Sequence, residues 1–202
     1  IKIGTIYAMS GDKAAIGENI LRGIDFAVKE INDAGGVNGR MLEVVRGDHA
    51  ADAATGKSEA ERLITQEHVD VIMGCHMSTV TEVVAQVAQQ YGVPMITAIS
   101  TLDKLSDAEH AEYDYFFRLC PLNSVYVEDM SKYLKDSEEQ TGEPIKTVAI
   151  FTDKAAIGQE LIRCVNLFAE EYGIEVVGEI DYSGGAADLS AQVLALKQLD
   201  PD

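Results

Sequence analysis

Short apolar runs rich in β-branched residues alternate with amphipathic helical segments along nearly the whole chain, and this alternation restricts the fold more than any other feature. Each run has the length of a buried strand, and the segments between them have apolar residues at helical spacing. The predicted strands of the first half are 2–9, 41–47, 69–73, 94–98 and 115–119. Strands that alternate with helices predict a doubly wound α/β fold with a parallel sheet, right-handed crossovers and helices on both faces.

The alternation restarts after the turn-forming residues 142–144, which indicates a second region of the same kind. The predicted elements there are a strand at 147–151, a helix at 155–172, a strand at 174–180 and a helix at 188–199. We therefore predict two α/β lobes, an N-terminal one at 1–120 and a second at 121–202. The polar segment 102–114 is predicted to be an irregular excursion over the surface. Because two strands are too few for a finished sheet, we expect the second lobe to be incomplete and the chain to be truncated.

The chain is strongly acidic, since 34 Asp and Glu residues against 16 Lys and Arg residues give a formal net charge of −18. Such a charge repels phosphate groups, so nucleic acid is excluded as a partner.

The apolar runs are strand-sized and predict no membrane span. The sequence enters its first strand without a basic, apolar leader, which predicts either a cytosolic chain or an exported chain in its mature form.

Three cysteines, Cys75, Cys120 and Cys164, are widely spaced and lie beside apolar residues. Their spacing fits no metal-binding pattern, so buried free thiols are the favoured interpretation, with one disulfide and one free thiol as the alternative.

Residues 11–17 lack the glycine pattern of a nucleotide-binding loop, and no nucleophile is paired with a base. We therefore predict no catalytic residue, no metal and no cofactor, and an enzyme is the weaker hypothesis.

The turn after the strand 69–73 is the strongest candidate for a binding site. The strand breaks at Gly74, and the next helix starts with the hydroxyl side chains of Ser78 and Thr79. Unpaired backbone N–H groups and the positive end of the helix dipole lie at such a start, which favours a carboxylate or a similar anion. Helix capping is the alternative role of these hydroxyls. A second hydroxyl pair, Ser100-Thr101, follows the next strand and favours the binding interpretation.

Ligands of parallel sheets bind beyond the carboxyl ends of the strands, where several loops of this chain meet. The further candidates in these loops are Ser10, His76, Met77 and Ile99. His76 has no second histidine or carboxylate at a metal or triad spacing, which favours packing or ligand contact over catalysis. Asp48 and His49, at another strand end, are interpreted as ordinary polar residues of a loop.

Several motifs together resemble one family. They are Ala8-Met9-Ser10-Gly11, Ala14-Ala15-Ile16-Gly17-Glu18, Ile31-Asn32-Asp33-Ala34-Gly35-Gly36, Gly74 with Ser78, Ala98-Ile99-Ser100-Thr101, and Asp153-Lys154 with Gly158. With these residues the whole chain resembles the type I periplasmic binding proteins, in particular the branched-chain amino-acid (Leu/Ile/Val) receptors of ABC importers. The resemblance implies a two-lobed receptor, a monomer in its full-length form, that delivers an amino acid or similar small carboxylate to an ABC permease. It implies a periplasmic or extracellular location, with or without a lipid anchor.

The resemblance also implies roles for individual residues. Ser78 and Thr101 would hold the ligand carboxylate through hydroxyl and backbone N–H groups, while the carbonyl of Ile99 and the hydroxyl of Thr101 would receive the α-ammonium. This chain departs from the family at Ile16 and Ile157, where relatives often carry an aromatic residue that contacts the ligand.

Two more departures concern the turn itself. The family's common disulfide would need cysteines at Ala51 and Met77, so the resemblance implies that this bridge is absent. His76 replaces an apolar residue, and Gly74-Cys75-x-Met77-Ser78 also resembles the amide- and urea-binding branch. The alternatives to an amino-acid receptor are therefore an amide- or urea-type binding protein and the ligand-sensing domain of a receptor or regulator.

Overall fold

The computed structural model describes residues 1–106 and 113–202, which divide into two units. The first unit consists of Ile1–Ser100 and Lys104–Cys120, and the second of Thr101–Asp103 and Pro121–Asp202. Residues 107–112, part of the predicted surface excursion, lie outside the described residues. In the described part of the chain, no helix combines the length and the apolar composition that crossing a membrane requires.

A parallel sheet forms the centre of the first unit. Its strands are β1 (Lys2–Tyr7), β2 (Glu43–Asp48), β3 (Val71–Gly74), β4 (Met95–Thr97) and β5 (Phe116–Arg118), and its helices are α1 (Ala14–Asp33), α2 (Ala53–Thr65) and α3 (Ser78–Tyr91). The strands pair in the order β2-β1-β3-β4-β5, all in parallel, as the alternation predicts. β1 lies between β2 and β3, and all of its residues after Lys2 are buried, as expected for a central strand.

Helix α1 ends at two glycines and buries few of its residues. Gly35 and Gly36 follow it with φ angles of +100° and +75°, the left-handed conformation that terminates helices. Within the helix only Gly17 and Leu21 are buried, whereas Ile16 is 49% exposed. A Cβ on Gly17 would lie 1.7 Å from the carbonyl oxygen of Ala8. The helix therefore meets the backbone that follows β1 at a position where no side chain fits.

The second unit repeats the β–α–β order. Its strands are β6 (Thr147–Asp153) and β7 (Glu175–Tyr182), and its helices are α4 (Asn123–Thr141), α5 (Ala156–Tyr172) and α6 (Ser190–Leu199). β6 and β7 are parallel, with one irregularity in their register between Val148 and Ala149. Gly158 of α5 allows the same close approach as in α1, because a Cβ there would lie 2.0 Å from the carbonyl oxygen of Asp153.

The segment after β4 does not begin as a surface excursion. Leu102, Asp103 and Leu105 are at most 3% exposed, and Asp103–Leu105 forms a short 3₁₀ helix. The prediction for this part of the segment is therefore wrong, because the two leucines remove apolar surface from water and hold the backbone against the protein.

The cysteines are all free thiols, and burial separates them. Cys75 and Cys164 are buried, as predicted, whereas Cys120 is only partly buried. The thiol of Cys120 donates a hydrogen bond to the carbonyl oxygen of Ser100 at 3.2 Å. Burial raises the pKa of the Cys75 thiol and raises that of Cys164 to about 11.

Candidate ligand-binding site

The predicted binding turn begins where β3 meets β1 most closely. Gly74, the last residue of β3, is the register partner of Ile6 in β1. A Cβ on Gly74 would lie 2.6 Å from the carbonyl oxygen of Ile6, so only glycine fits without a shift of the backbone. The chain then turns through Cys75 and His76 and enters α3, which places this turn at the carboxyl edge of the sheet.

The N-terminus of α3 has no side-chain cap. Its N-cap residue is Met77, whose carbonyl accepts from the N–H groups of Val80 at 3.1 Å and Thr81 at 2.8 Å. Within the described residues, the N–H groups of Ser78 and Thr79 and both hydroxyls have no hydrogen-bond partner. The capping role considered for Ser78 and Thr79 is therefore not observed. These groups lie at the positive end of the helix dipole, where an anion is stabilised.

Thr97 connects this turn to the one after β4. Its side chain is fully buried, and its hydroxyl donates a hydrogen bond to the carbonyl oxygen of Cys75 at 3.2 Å. The hydroxyl oxygen of Thr97 in turn accepts from the N–H of Ser100 at 3.2 Å and of Ile99 at 3.4 Å. Thr97 is not among the residues predicted above, although a hydroxyl at the end of an otherwise apolar strand is a signal for such a bridge.

The first unit brings several predicted residues to one edge of its sheet. β1, β3 and β4 are neighbours in the sheet, so the loops that follow their carboxyl ends lie side by side. These loops carry Ser10, His76, Met77, Ser78, Thr79, Ile99 and Ser100, with Ile16 in the helix after the first loop. Ser10, Ile16 and Ile99 are exposed, whereas Ser100 is buried. Thr101 and Ile157 belong to the second unit, where each is partly buried.

The ring of His76 lies close to two other rings. Its ring centroid lies 5.2 Å from that of His49 and 6.2 Å from that of Tyr7. Both ring nitrogens of His76 are buried, and within the described residues they have no hydrogen-bond partner. Burial lowers the pKa of His76, with a further contribution from the charge of Lys13, so the ring is neutral near pH 7.

The prediction that His49 is an ordinary polar residue of a loop is wrong. The side chain is fully buried, and its Nδ1 accepts a hydrogen bond from the N–H of Ala51 at 3.0 Å. Burial lowers the pKa of His49, and so does the neighbouring His76. Asp48 instead organises the loop after β1, because its carboxylate accepts from the N–H groups of Met9 and Ala50, both at 2.8 Å.

One group of side chains in the second unit has donor atoms close enough for a metal ion. Oxygen and sulfur atoms of Asp103, Glu160 and Cys164 lie within 4.8 Å of one another. The guanidinium of Arg163, however, contacts Glu160 at 2.8 Å and Asp103 at 3.3 Å. A cation already neutralises these carboxylates, and Asp103 also accepts from the N–H of Ser124 at the start of α4. The arrangement is that of an ion-paired helix start.

Comparisons with known proteins agree with this architecture. The family model described as "Periplasmic binding protein" matches residues 1–202. Among curated proteins, Leu/Ile/Val-binding protein homolog 7 of Brucella abortus (strain 2308) is 31% identical over 206 residues, an alignment that covers 100% of this chain and 50% of that protein. The chain thus spans about half the length of the curated relatives it matches.

Solved structures give the same result. The branched-chain amino acid transporter substrate-binding protein LivJ from Streptococcus pneumoniae, in complex with isoleucine, matches with a TM-score of 0.82 and 30% identity, over 98% of this chain and 53% of that one. An ABC transporter substrate-binding protein from Desulfitobacterium hafniense, in complex with Leu, matches with a TM-score of 0.76 and 25% identity, over 100% of this chain and 56% of that one. The α/β fold class predicted from the alternation is confirmed.

Proposed function

The chain belongs to the periplasmic binding protein family, and from this membership we propose that it is part of a solute receptor that binds an amino acid or a similar small carboxylate and delivers it to an ABC permease. The relatives from S. pneumoniae and D. hafniense, found with isoleucine and Leu, support this class of solute. The family's name supports a periplasmic or extracellular location, with or without a lipid anchor. The receptor is a monomer in this proposal.

The observation that carries the proposal is the uncapped start of α3. The N–H groups of Ser78 and Thr79 and the Ser78 hydroxyl have no partner in the described protein, and they share the positive end of the helix dipole. A carboxylate oxygen that accepts from these donors would form charge-assisted hydrogen bonds, which are stronger than neutral ones. We therefore assign the solute carboxylate to this turn. The roles of Ile99, Thr101 and Ile157 stay predictions.

Binding without catalysis is part of the same proposal. The relatives are substrate-binding proteins. The two buried thiols of this chain, Cys75 and Cys164, have raised pKa values and are protonated at neutral pH, so neither is an activated nucleophile.

A neutral amide is the second candidate solute. When His76 is uncharged, the turn 74–79 carries no cationic side chain, and its donors suit the oxygen of an amide or of urea as well as a carboxylate. This candidate differs from the first in the solutes that should raise the melting temperature of the protein.

A thermal-shift screen on the complete gene product that contains this chain tests both candidates. The screen covers free amino acids, small amides, urea and aromatic acids, because a solute that binds only the folded state raises the melting temperature. A shift with amino acids supports the first candidate, and a shift with amides or urea but not with amino acids supports the second.

Calorimetry on Ser78→Ala then tests the site. The loss of one hydrogen bond to a charged group should cost about 1–3 kcal/mol, or roughly 5- to 150-fold in Kd. Ser58→Ala is the matched control, because Ser58 is an exposed helix serine of the same unit whose hydroxyl, among the described residues, bonds only to the carbonyl of Ala54. An equal Kd for Ser78→Ala, Ser58→Ala and the unmodified protein would refute the site.

A further inference from the structure

The loop 48–52, between β2 and α2, is held by hydrogen bonds to its own side chains. Ala50 and Ala51 have φ angles of +46° and +60°, left-handed conformations that residues other than glycine rarely adopt. The N–H of Ala50 donates to the carboxylate of Asp48 at 2.8 Å, and the N–H of Ala51 donates to Nδ1 of His49 at 3.0 Å. The shape of this loop therefore depends on the acceptors that Asp48 and His49 supply.

The bond from Ala51 determines where the His49 ring carries its proton. Because Nδ1 accepts a hydrogen bond, the neutral ring has its hydrogen on Nε2. That Nε2–H group is buried and has no hydrogen-bond partner among the described residues. A second proton can enter the ring only at Nδ1, where it would displace the N–H of Ala51. A protonated His49 is therefore incompatible with the observed loop.

The surroundings of His49 also favour the neutral ring. Its side chain is fully buried, and its ring centroid lies 5.2 Å from that of His76. Two other helices contribute uncharged residues here: a Cβ on Gly56 of α2 would lie 3.5 Å from the Cβ of His49 and 2.4 Å from Cγ1 of Val80 in α3. Burial lowers the pKa of His49 and His76 lowers it further, while the charge of Asp48 opposes them.

The other titratable groups of this cluster do not compensate a positive charge. Burial raises the pKa values of Tyr7 in β1 and of Cys75, so both are uncharged between pH 5 and pH 8. Burial lowers the pKa of His76, and the positive charge of Lys13, just before α1, lowers it further. The carboxylate of Asp52, at the end of the loop, caps α2. None of these groups offers a free carboxylate to a charged His49 ring.

We propose that His49 is a pH-sensitive switch that acts on the turn 74–79. Protonation at Nδ1 breaks the bond from Ala51, the loop 48–52 rearranges, and the ring that lies beside His76 is withdrawn. The turn that carries Ser78 then opens more often. The switch operates without a solute and so goes beyond the proposed function. If the solute carboxylate binds at the start of α3, the same proton also weakens its binding, a consequence that rests on the proposed function.

Hydrogen exchange on the complete gene product, measured by mass spectrometry without solute, tests the switch. The decisive variant is His49→Asn, because an asparagine oxygen also accepts from the N–H two residues further on but does not titrate. Both proteins are measured at the same pH, which removes the pH dependence of the chemical exchange rate. The rate of the unmodified protein, divided by that of the variant, is then compared between pH 7.5 and pH 5.

This ratio should rise by roughly 3- to 30-fold at pH 5 in the peptides that cover 46–56 and 71–81. The upper limit holds for one histidine with a pKa of about 6.5 in the open state, because a lowered pKa in the closed state favours opening below that pH. His68→Asn, the same change at an exposed histidine of the first unit, should keep the pH response of the unmodified protein. His76→Phe retains a ring beside His49 and should keep it too.

Three results would overturn the proposal. A ratio that stays constant between pH 7.5 and pH 5 means that His49 does not control either segment. A response in 46–56 alone means that the loop is not coupled to the turn, and a response that His76→Phe abolishes means that His76 is the titrating group. A protein that binds no amino acid refutes the proposed function, whereas these exchange rates, measured without solute, still decide the switch.

Nuclear magnetic resonance on the unmodified protein provides the second test, should His49→Asn not fold. The ¹⁵N shifts of the imidazole must show a hydrogen on Nε2 of His49 at pH 7.5. The amide signals of Ala51 and Ser78 must shift together with the protonation of this ring below pH 6.5. A hydrogen on Nδ1 at pH 7.5, or amide signals that do not follow the ring, would overturn the proposal.

Discussion

The hydroxyl of Thr97 should hold the turns after β3 and β4 together, and Thr97→Val tests this directly. Valine has nearly the shape of threonine, so the substitution removes hydrogen bonds without opening a cavity. The bonds lost are those to the carbonyl of Cys75 and from the N–H groups of Ile99 and Ser100. The bond from Ile99, at 3.4 Å and in an exposed residue, contributes little.

The structure gives the magnitude of the effect. The carbonyl of Cys75 keeps a 3.4 Å contact with the hydroxyl of Thr81, so its loss is one ordinary bond, about 1 kcal/mol. The N–H of Ser100 loses its acceptor in a residue that is 1% exposed, and a stranded buried donor costs about 1–3 kcal/mol. The two effects sum to about 2–4 kcal/mol of local stability.

Hydrogen exchange measured by mass spectrometry separates the two units, because each peptide reports its own opening free energy. A loss of about 2–4 kcal/mol in local stability should make the peptides that cover 71–81 and 95–101 exchange roughly 30- to 700-fold faster in Thr97→Val. Peptides from β7 in the second unit should be unaffected. Thr65→Val is the control, because Thr65 is exposed and its hydroxyl, in the part of the chain that the structure describes, bonds only within its own helix.

Faster exchange in 95–101 alone would refute the reasoning, since it would mean that the hydroxyl stabilises its own turn without connecting it to the one that carries Ser78. If exchange in Thr97→Val is no faster than in Thr65→Val, the predicted loss of local stability is too large.

Two further predictions concern stability. Gly17→Ala should destabilise the first unit by about 1–3 kcal/mol in urea unfolding, because its Cβ would lie 1.7 Å from the carbonyl oxygen of Ala8. Gly23→Ala in the same helix meets nothing within 4 Å and should stabilise it by about 0.5–1 kcal/mol, so a stabilising Gly17→Ala would contradict the packing. The first unit should also lose stability as the pH falls below about 6.5, because burial lowers the pKa of His49 and the unfolded chain then binds the extra proton. A urea midpoint that stays constant from pH 8 to pH 5 would exclude this.

The elements of the fold could be predicted because their signals are local. The apolar run 69–73 and the glycines at 35 and 36 report strand and helix ends from neighbouring residues alone, and β3 and the end of α1 lie at those places. What could not be predicted depends on partners that are distant in sequence. The bond from Thr97 to Cys75 joins residues 22 positions apart, and the ring contact between His49 and His76 joins two loops. Spacing within one segment carries no information about such pairs.

The same distinction applies to the candidate site. Ser78 and Thr79 could be predicted because a hydroxyl pair at a helix start is visible in the sequence. That neither hydroxyl caps the helix could not be predicted. The hydrogen bond of Thr101 to Asn123 could not be predicted either, since it joins residues that are distant in sequence.

The starts of the consecutive helices α2 and α3 differ in their capping. α2 begins with Asp52 at its N-cap, and the carboxylate accepts from the N–H of Thr55 at 2.7 Å. In α3 the hydroxyls come one position later: Met77 is the N-cap, and Ser78 is already the first helical residue. A side-chain cap stabilises a helix by about 0.5–2 kcal/mol. Of these two helices, α2 has this stabilisation and α3 does not. A carboxylate that occupies the free N–H groups would supply the missing cap, which couples solute binding to the stability of this helix start.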